Sequence, residues 1–258
     1  MKDWKNIEQL GSVRSTRPTN VMLAAEYNAI LIHDGGPFYI NDYLAKKYNN
    51  NLSGGFARFS NGKSSEFTEY VTSDTYKNPT TGKTYDGLVD RVSKAGYSET
   101  YNDYYPGQHF EFYEGELDLG TLADSFDAKD VELPFTHNSS ELHYNDTTKT
   151  YDYSEYGSEH VDPLDDNKVL SFKNVILQKC SFSQLDDHGY LIYNVLTEDA
   201  DGYYLTDGKA IPITWSKLQE NAVTVFYNAK TGEQIQLNTG KTYIALVPAD
   251  SWDKVEIK

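Results

Sequence analysis

The sequence predicts an α+β protein, with an N-terminal α/β layer followed by a mostly antiparallel β C-terminal domain. Near the N-terminus a helical pattern, a short apolar run and a second helical pattern follow in order, as in a strand flanked by helices. From about Asp130 the chain becomes a succession of short runs rich in Val, Ile, Leu, Tyr and Phe. Turn signals such as DDHG, DADG, TDGK, AKTG and NTGK separate many of these runs. The two expected parts are residues 1–129 and 130–258.

The first helix is RPTNVMLAAEYNA, residues 17–29. Thr16 or Ser15 is placed to cap it, and Pro18 suits its first turn. AILIH, residues 29–33, reads as a buried strand, and HDGGP as the turn after it. FYINDYLAKKYNNNL, residues 38–52, reads as the second helix. Residues 52–85 are rich in Gly, Ser, Thr, Asn and Lys, and SNGKSS and KNPTTGKT read as loops. YDGLVDRVSKAGY gives a short helix ending at Gly96. The tyrosine-rich stretch from Tyr101 leads into an expected strand at His109–Tyr113, and TLADSF gives one helical turn. Expected strands then follow through DVELPF, LHYN, KTYDYS, KVLSFKNVILQKCSF, GYLIYNVL, GYYLT, AIPITWSK, AVTVFYN, EQIQL and KTYIALVP. No fixed-period repeat is present.

Composition narrows the function. The 258 residues carry 39 Asp and Glu against 23 Lys and Arg, a net charge of -16. A field of that sign repels nucleic acid and anionic lipid. The single cysteine, Cys180, excludes an intramolecular disulfide and a cysteine-based zinc cluster, and a buried thiol is the plain expectation. No apolar run reaches transmembrane length, and MKDWKNIEQL lacks the apolar core of a signal peptide.

Several sequence blocks resemble the YerB-like lipoprotein family of bacteria, whose domain of unknown function comes in two parts. Gly11–Gly36 carries a GSVRSTR…HDGG pattern in which Arg14, Ser15 and Arg17 fall on the family's Arg-Ser-x-Arg. His33, Gly35 and Gly36 fall on the end of its second block, with Asp34 where a small residue is more familiar. Lys173, Asn174 and Val175 match a KNV block. Gly208, Lys209, Ala210, Trp215 and Lys217 match a G-K-A…T-W-x-K block, and Asn238, Gly240 and Lys241 a turn before the last strand. Three departures stand out. Further N-terminal sheet is expected upstream, Tyr153 replaces an arginine, and NGKSSEFTEY replaces an arginine-rich loop. The resemblance implies an extracytoplasmic setting with an N-terminal lipid anchor to the membrane. It implies an α/β part and a β-rich part, and no known activity.

The leading site is built on Arg14 and Arg17 beside a helix start, where free N–H groups and the helix dipole favour an anion. Arginine grips a carboxylate or phosphate through paired hydrogen bonds. An internal ion pair with Glu8, Glu26 or Asp34 is the plainer alternative. Ser15, His33, Asp34, Gly35 and Gly36 complete the expected ligand-binding set. Lys209, Trp215 and Lys217 form a secondary candidate, against which stands a buried tryptophan with a satisfied indole. No GxSxG elbow and no HExxH pair occur. DADG starts like a calcium loop but lacks its distal Glu, and DPLDDN lacks the required spacing. Gly82-Lys83 and Gly240-Lys241 lack the first glycine of a phosphate loop and read as hairpin turns. The expected function is therefore non-catalytic binding of an anionic cell-wall fragment or a protein partner, with no cofactor, no metal and no nucleic acid. The alternatives are an envelope glycan or peptide hydrolase, with His33 or Asp34 as acid or base, and a structural interaction module.

Overall fold

The computed structural model describes residues 4–100, 109–163, 165–187 and 189–258. The chain is predominantly β. It forms two compact units, Met1–Gly107 with Glu220–Ala222, and Gln108–Gln219 with Val223–Lys258. Residues 108–129, read from sequence as part of the first, thus belong to the second. The reason is packing: Leu119 is buried in the core of the second unit, and Phe126–Asp127 pairs with Lys209–Ala210.

The first unit opens with β1 (Leu10–Gly11), α1 (Pro18–Glu26), β2 (Ile30–His33), α2 (Ile40–Leu44), β3 (Asn50–Ser53), β4 (Ala57–Arg58) and β5 (Glu69–Val71). A hairpin, Tyr76–Lys77 with Thr84–Tyr85, leads to α3 (Leu88–Ala95). β2 and β3 pair in parallel, and β1–β5–β4 form an antiparallel three-stranded sheet. α1 has Pro18 in its first turn, as expected. Its N-cap is Arg17, however, and neither Ser15 nor Thr16 caps it. α2 ends at Leu44, and the asparagine run read as helix becomes β3, consistent with the poor helix propensity of asparagine. α3 ends on Gly96 at φ +68, a left-handed stop that glycine adopts without strain. The stretch 52–85 holds β4, β5 and the hairpin as well as loops.

In the second unit, Asn174–Cys180 is the central strand. It pairs antiparallel with Thr197–Thr206 and parallel with Thr242–Pro248. Lys209–Lys217 and Val225–Asn228 extend the sheet on the Thr197–Thr206 side. The apolar run NVIL is buried on both faces, which is why it does not alternate with polar residues. Val175 and Leu177 face one core, with Leu142, Tyr151 and Leu205. That core includes a second antiparallel sheet of Asp130–Glu132, Glu141–Asn145 and Thr150–Glu155, edged by Glu256–Ile257. Ile176 and Cys180 face the other core, with Trp215, Phe226 and Leu237. Burial pushes the Cys180 thiol up to about 12. Two sequence readings fail here. His109–Tyr113 makes an isolated bridge, Phe112 with Leu237, rather than a strand. DADG is no turn but part of the strand Thr197–Thr206, where the register shifts between Thr197 and Ala200.

A buried polar network joins three segments of this unit. Asn174 Nδ2 donates to the Asn238 carbonyl at 2.8 Å, and Tyr204 Oη donates to Asn174 Oδ1 at 2.9 Å. Asn238 Nδ2 donates to the Leu117 carbonyl at 3.0 Å, while Asn238 Oδ1 accepts from the Leu117 N–H at 2.6 Å. Removing the Asn238 amide strands buried groups that need partners. Asn238→Ala is therefore expected to cost about 3 kcal/mol of stability, read from urea unfolding. A loss below about 1 kcal/mol would mean that the network does not need this amide.

Candidate functional site

Backbone pairing fixes the candidate site in the first unit. The Val13 N–H donates to the Glu69 carbonyl at 2.7 Å, the Asp34 N–H to the Arg14 carbonyl at 3.0 Å, and the Thr16 N–H to the Gly35 carbonyl at 3.1 Å. The segment 11–16 is thereby stitched between β5 and the turn after β2. Gly36 is required by close approach, since a Cβ there would lie 2.9 Å from Ile40 Cγ2. Gly35 sits at φ +74, a conformation that favours glycine.

Arg14 and Ser15 are exposed, and Thr16 is buried. Arg14 Nη2 lies 3.0 Å from Glu66 Oε2, and its guanidinium stacks 4.5 Å from the Phe67 ring centre. For Arg14 the plainer alternative of an internal ion pair thus holds, with Glu66 as the partner. Arg17 donates to the Thr16 carbonyl at 2.8 Å. Arg14 and Ser15 border a cleft of about 300 Å³ with Gly11, Ser12 and Asn20. A second cleft, of about 500 Å³, lies against Gly35, Phe38, Asn41 and Asn51. His33 lines both, and Phe38 at the lip of the second is 83% exposed.

His33 is buried with both ring nitrogens engaged. Nδ1 is 2.9 Å from the Gly35 carbonyl, and Nε2 is 3.2 Å from Asn51 Oδ1. His33 therefore pins the turn after β2 to β3, and no Ser15–His33 pair forms.

Asp34 is half-buried beside Glu69, a residue the sequence did not single out. Glu69 is buried on β5, and its Oε2 accepts from Arg58 Nη2 at 3.0 Å. Arg58 Nη2 also lies 3.9 Å from Asp34 Oδ2. Burial first, and then the hydrogen bond and charge of Asp34, push the Glu69 carboxyl above its ordinary range, while Arg58 pulls it back down.

The secondary candidates do not form a surface. Trp215 is fully buried and its indole N–H donates to the Asp201 carbonyl at 3.2 Å. Lys217 is buried too. Lys209 pairs with Asp127 at 2.6 Å. Alternation along the strand Lys209–Lys217 turns Trp215 and Lys217 inward. Among the described residues no group of three or more His, Cys, Asp or Glu side chains could hold a metal ion. His143 lies between Asp130 and Glu141, which push its pKa up, and His160 pairs with Glu155. His188 lies outside the described residues.

A two-part, mostly β protein with a buried histidine at the end of its first parallel strand is thus the class that fold and site define. The chain belongs to the DUF3048 family of proteins of unknown function: residues 2–86 match its N-terminal domain and residues 131–244 its C-terminal domain. The crystal structure of the YerB protein from Bacillus subtilis is similar in fold, with a TM-score of 0.67 at 18% sequence identity. The match covers 97% of this chain and 78% of that one. No curated protein matches the sequence.

The Asp34–Glu69–Arg58 cluster makes a prediction. Glu69 should titrate above the ordinary glutamate value of 4.5 in carboxyl-detected NMR, and Asp34→Asn should bring it down. Arg58→Ala should raise it further. Because the folded pKa is raised, the folded chain binds more protons than the unfolded one between the two values. The contribution of Glu69 to stability should therefore fall as pH rises through that window. An unshifted Glu69 would contradict the arrangement.

Proposed function

We propose that the protein is a non-catalytic binding protein of the bacterial envelope, taking a carboxylate-bearing cell-wall fragment at the cleft beside Arg14. The observation that carries this reading is a division of labour. His33 spends both ring nitrogens inside the fold, whereas Arg14 and Ser15 stay exposed at the mouth of a cleft. Acid–base chemistry needs a free, positioned group, and binding needs a presented one.

The Arg14–Glu66 pair does not block the cleft. Both side chains are about half exposed, at 47% and 58%, and exposed pairs contribute about 1 kcal/mol or less. A ligand carboxylate that engages the guanidinium and the Ser15 hydroxyl together offsets that loss. Arg17 and Gly36 act by holding the start of α1 and its approach to the turn, and Asp34 through its contact with Glu69. Phe38, at the second cleft, offers an apolar face to the body of a ligand. The envelope setting and its lipid anchor rest on the resemblance of the sequence blocks to YerB-like lipoproteins.

Calorimetric titration with muropeptides and matched neutral glycans tests the reading. Saturable binding of the acidic ligands alone is expected, weakened about tenfold in a folded Arg14→Ala variant. Equal responses to acidic and neutral ligands, or an unchanged affinity in the variant, would remove the cleft from consideration.

A further inference from the structure

The second unit holds a pocket of about 670 Å³ that the site above does not use. Its walls are three turns, at 115–116, 148–150 and 239–241, with Ser171 and Lys173 between them. Its floor is Asn238, the buried hub of the polar network. Three lysines border it, Lys149, Lys173 and Lys241, a concentration of positive charge in a chain of net charge -16. Among the described residues, neither Lys149 nor Lys241 has a carboxylate within 4.0 Å.

Lys173 is built in. Its side chain is 14% exposed, and a Cβ on Gly240 would lie 2.5 Å from Lys173 Cβ, so the turn presses on its stem. Its ammonium contacts two carboxylates of different character. Asp207 Oδ1, at 2.6 Å, belongs to a side chain that is 20% exposed and also held by Asn238. Glu116 Oε1, at 2.7 Å, belongs to a side chain that is 67% exposed. Asp207 is the structural counter-ion, and Glu116 is the replaceable one. Lys173 in contact, with Lys149 adding charge, holds the Glu116 carboxyl below the usual carboxylate range, so the pocket favours an anion at that spot.

We propose that this pocket binds a carboxylate-bearing ligand, and that Glu116 fills the ligand's carboxylate position until the ligand displaces it. Lys149 and Lys241, which hold no carboxylate in direct contact among the described residues, give an incoming anion its advantage over the tethered one. The volume exceeds that of one carboxylate and suits a sugar acid or a short acidic peptide, with Ser171 and Thr239 hydroxyls at the wall to orient it. Every residue invoked lies in the second unit, so this site stands whether or not the Arg14 cleft binds anything.

The test titrates the whole chain with glucuronate and triglutamate, against glucose and triglutamine as neutral matches. Saturable binding of one acidic probe is expected. Lys149→Ala with Lys241→Ala should weaken it about tenfold, from two lost cation contacts. Glu116→Gln should tighten it about threefold, because a neutral side chain competes less well for Lys173. Arg14→Ala should leave it unchanged, which separates this pocket from the cleft of the first unit. No saturable binding, indifference to the lysines, or weaker binding in Glu116→Gln would each overturn the proposal. Lys173 is left intact, since its removal would strand Asp207.

Discussion

The second unit depends on the hydrogen bonds among Asn174, Tyr204 and Asn238. Apolar burial drives the two cores together but has no direction, and it tolerates small slips between neighbouring strands. The buried amides do not. Asn174 at the start of the central strand must meet the Asn238 carbonyl and the Tyr204 hydroxyl at once, and Asn238 must meet both backbone groups of Leu117. A slip of one residue would turn Val175 and Leu177 to the opposite core and leave these amides unpaired in a dry interior. The same hub holds the turn at 239–241 against Lys173. The shape of the lysine pocket is therefore a consequence of how the sheet keeps its register.

The first unit solves a different problem. Its parallel pair, β2 with β3, is short, and the turn after β2 has few backbone partners of its own. The segment 11–16 supplies them from one side and the His33 ring from the other. This explains why a histidine, a residue suited to catalysis, is buried in a bonding role. It also explains where the charge goes. Glu69, buried on β5, would be costly as an isolated carboxylate. Asp34 and Arg58 make it a shared cluster, and Arg14 pairs instead with the exposed Glu66.

Local pattern made much of this legible. The start of α1 at Pro18, the end of α3 at Gly96 and most C-terminal strands follow from proline, glycine and apolar runs read over a few residues. The predominantly β character follows from the same signals. What escaped depends on partners distant in sequence. The asparagines at 50–51 become strand because β2 lies alongside, and DADG becomes strand because Lys209–Lys217 offers a ladder. Trp215 and Lys217 looked presentable as a motif, yet strand alternation buries both. Glu69 gave no signal because its importance comes from Asp34 and Arg58, both more than ten positions away. Lys173 was visible only in a block of a resemblance, and Asn238 and Gly240 there and as a turn signal; their meeting at one pocket is a product of the fold.

The two basic sites share a physical logic that follows from the net charge. In a strongly acidic chain a cation attracts a neighbouring exposed glutamate, as Arg14 does Glu66 and Lys173 does Glu116. The Arg14–Glu66 contact adds little stability, because both groups remain solvated. In the proposed binding the effect of both contacts would be on selectivity. A neutral molecule gains nothing by displacing the glutamate, and a lone weak anion gains little. A ligand that brings a carboxylate together with further contacts replaces an exposed ion pair with a more complete one. The surrounding negative field raises the threshold again, because it disfavours any anion that lacks a dedicated cation to meet it. An acidic surface and a few cations capped by exposed glutamates are thus compatible parts of the recognition proposed above, in which excess negative charge would filter ligands and the capped cations would admit them.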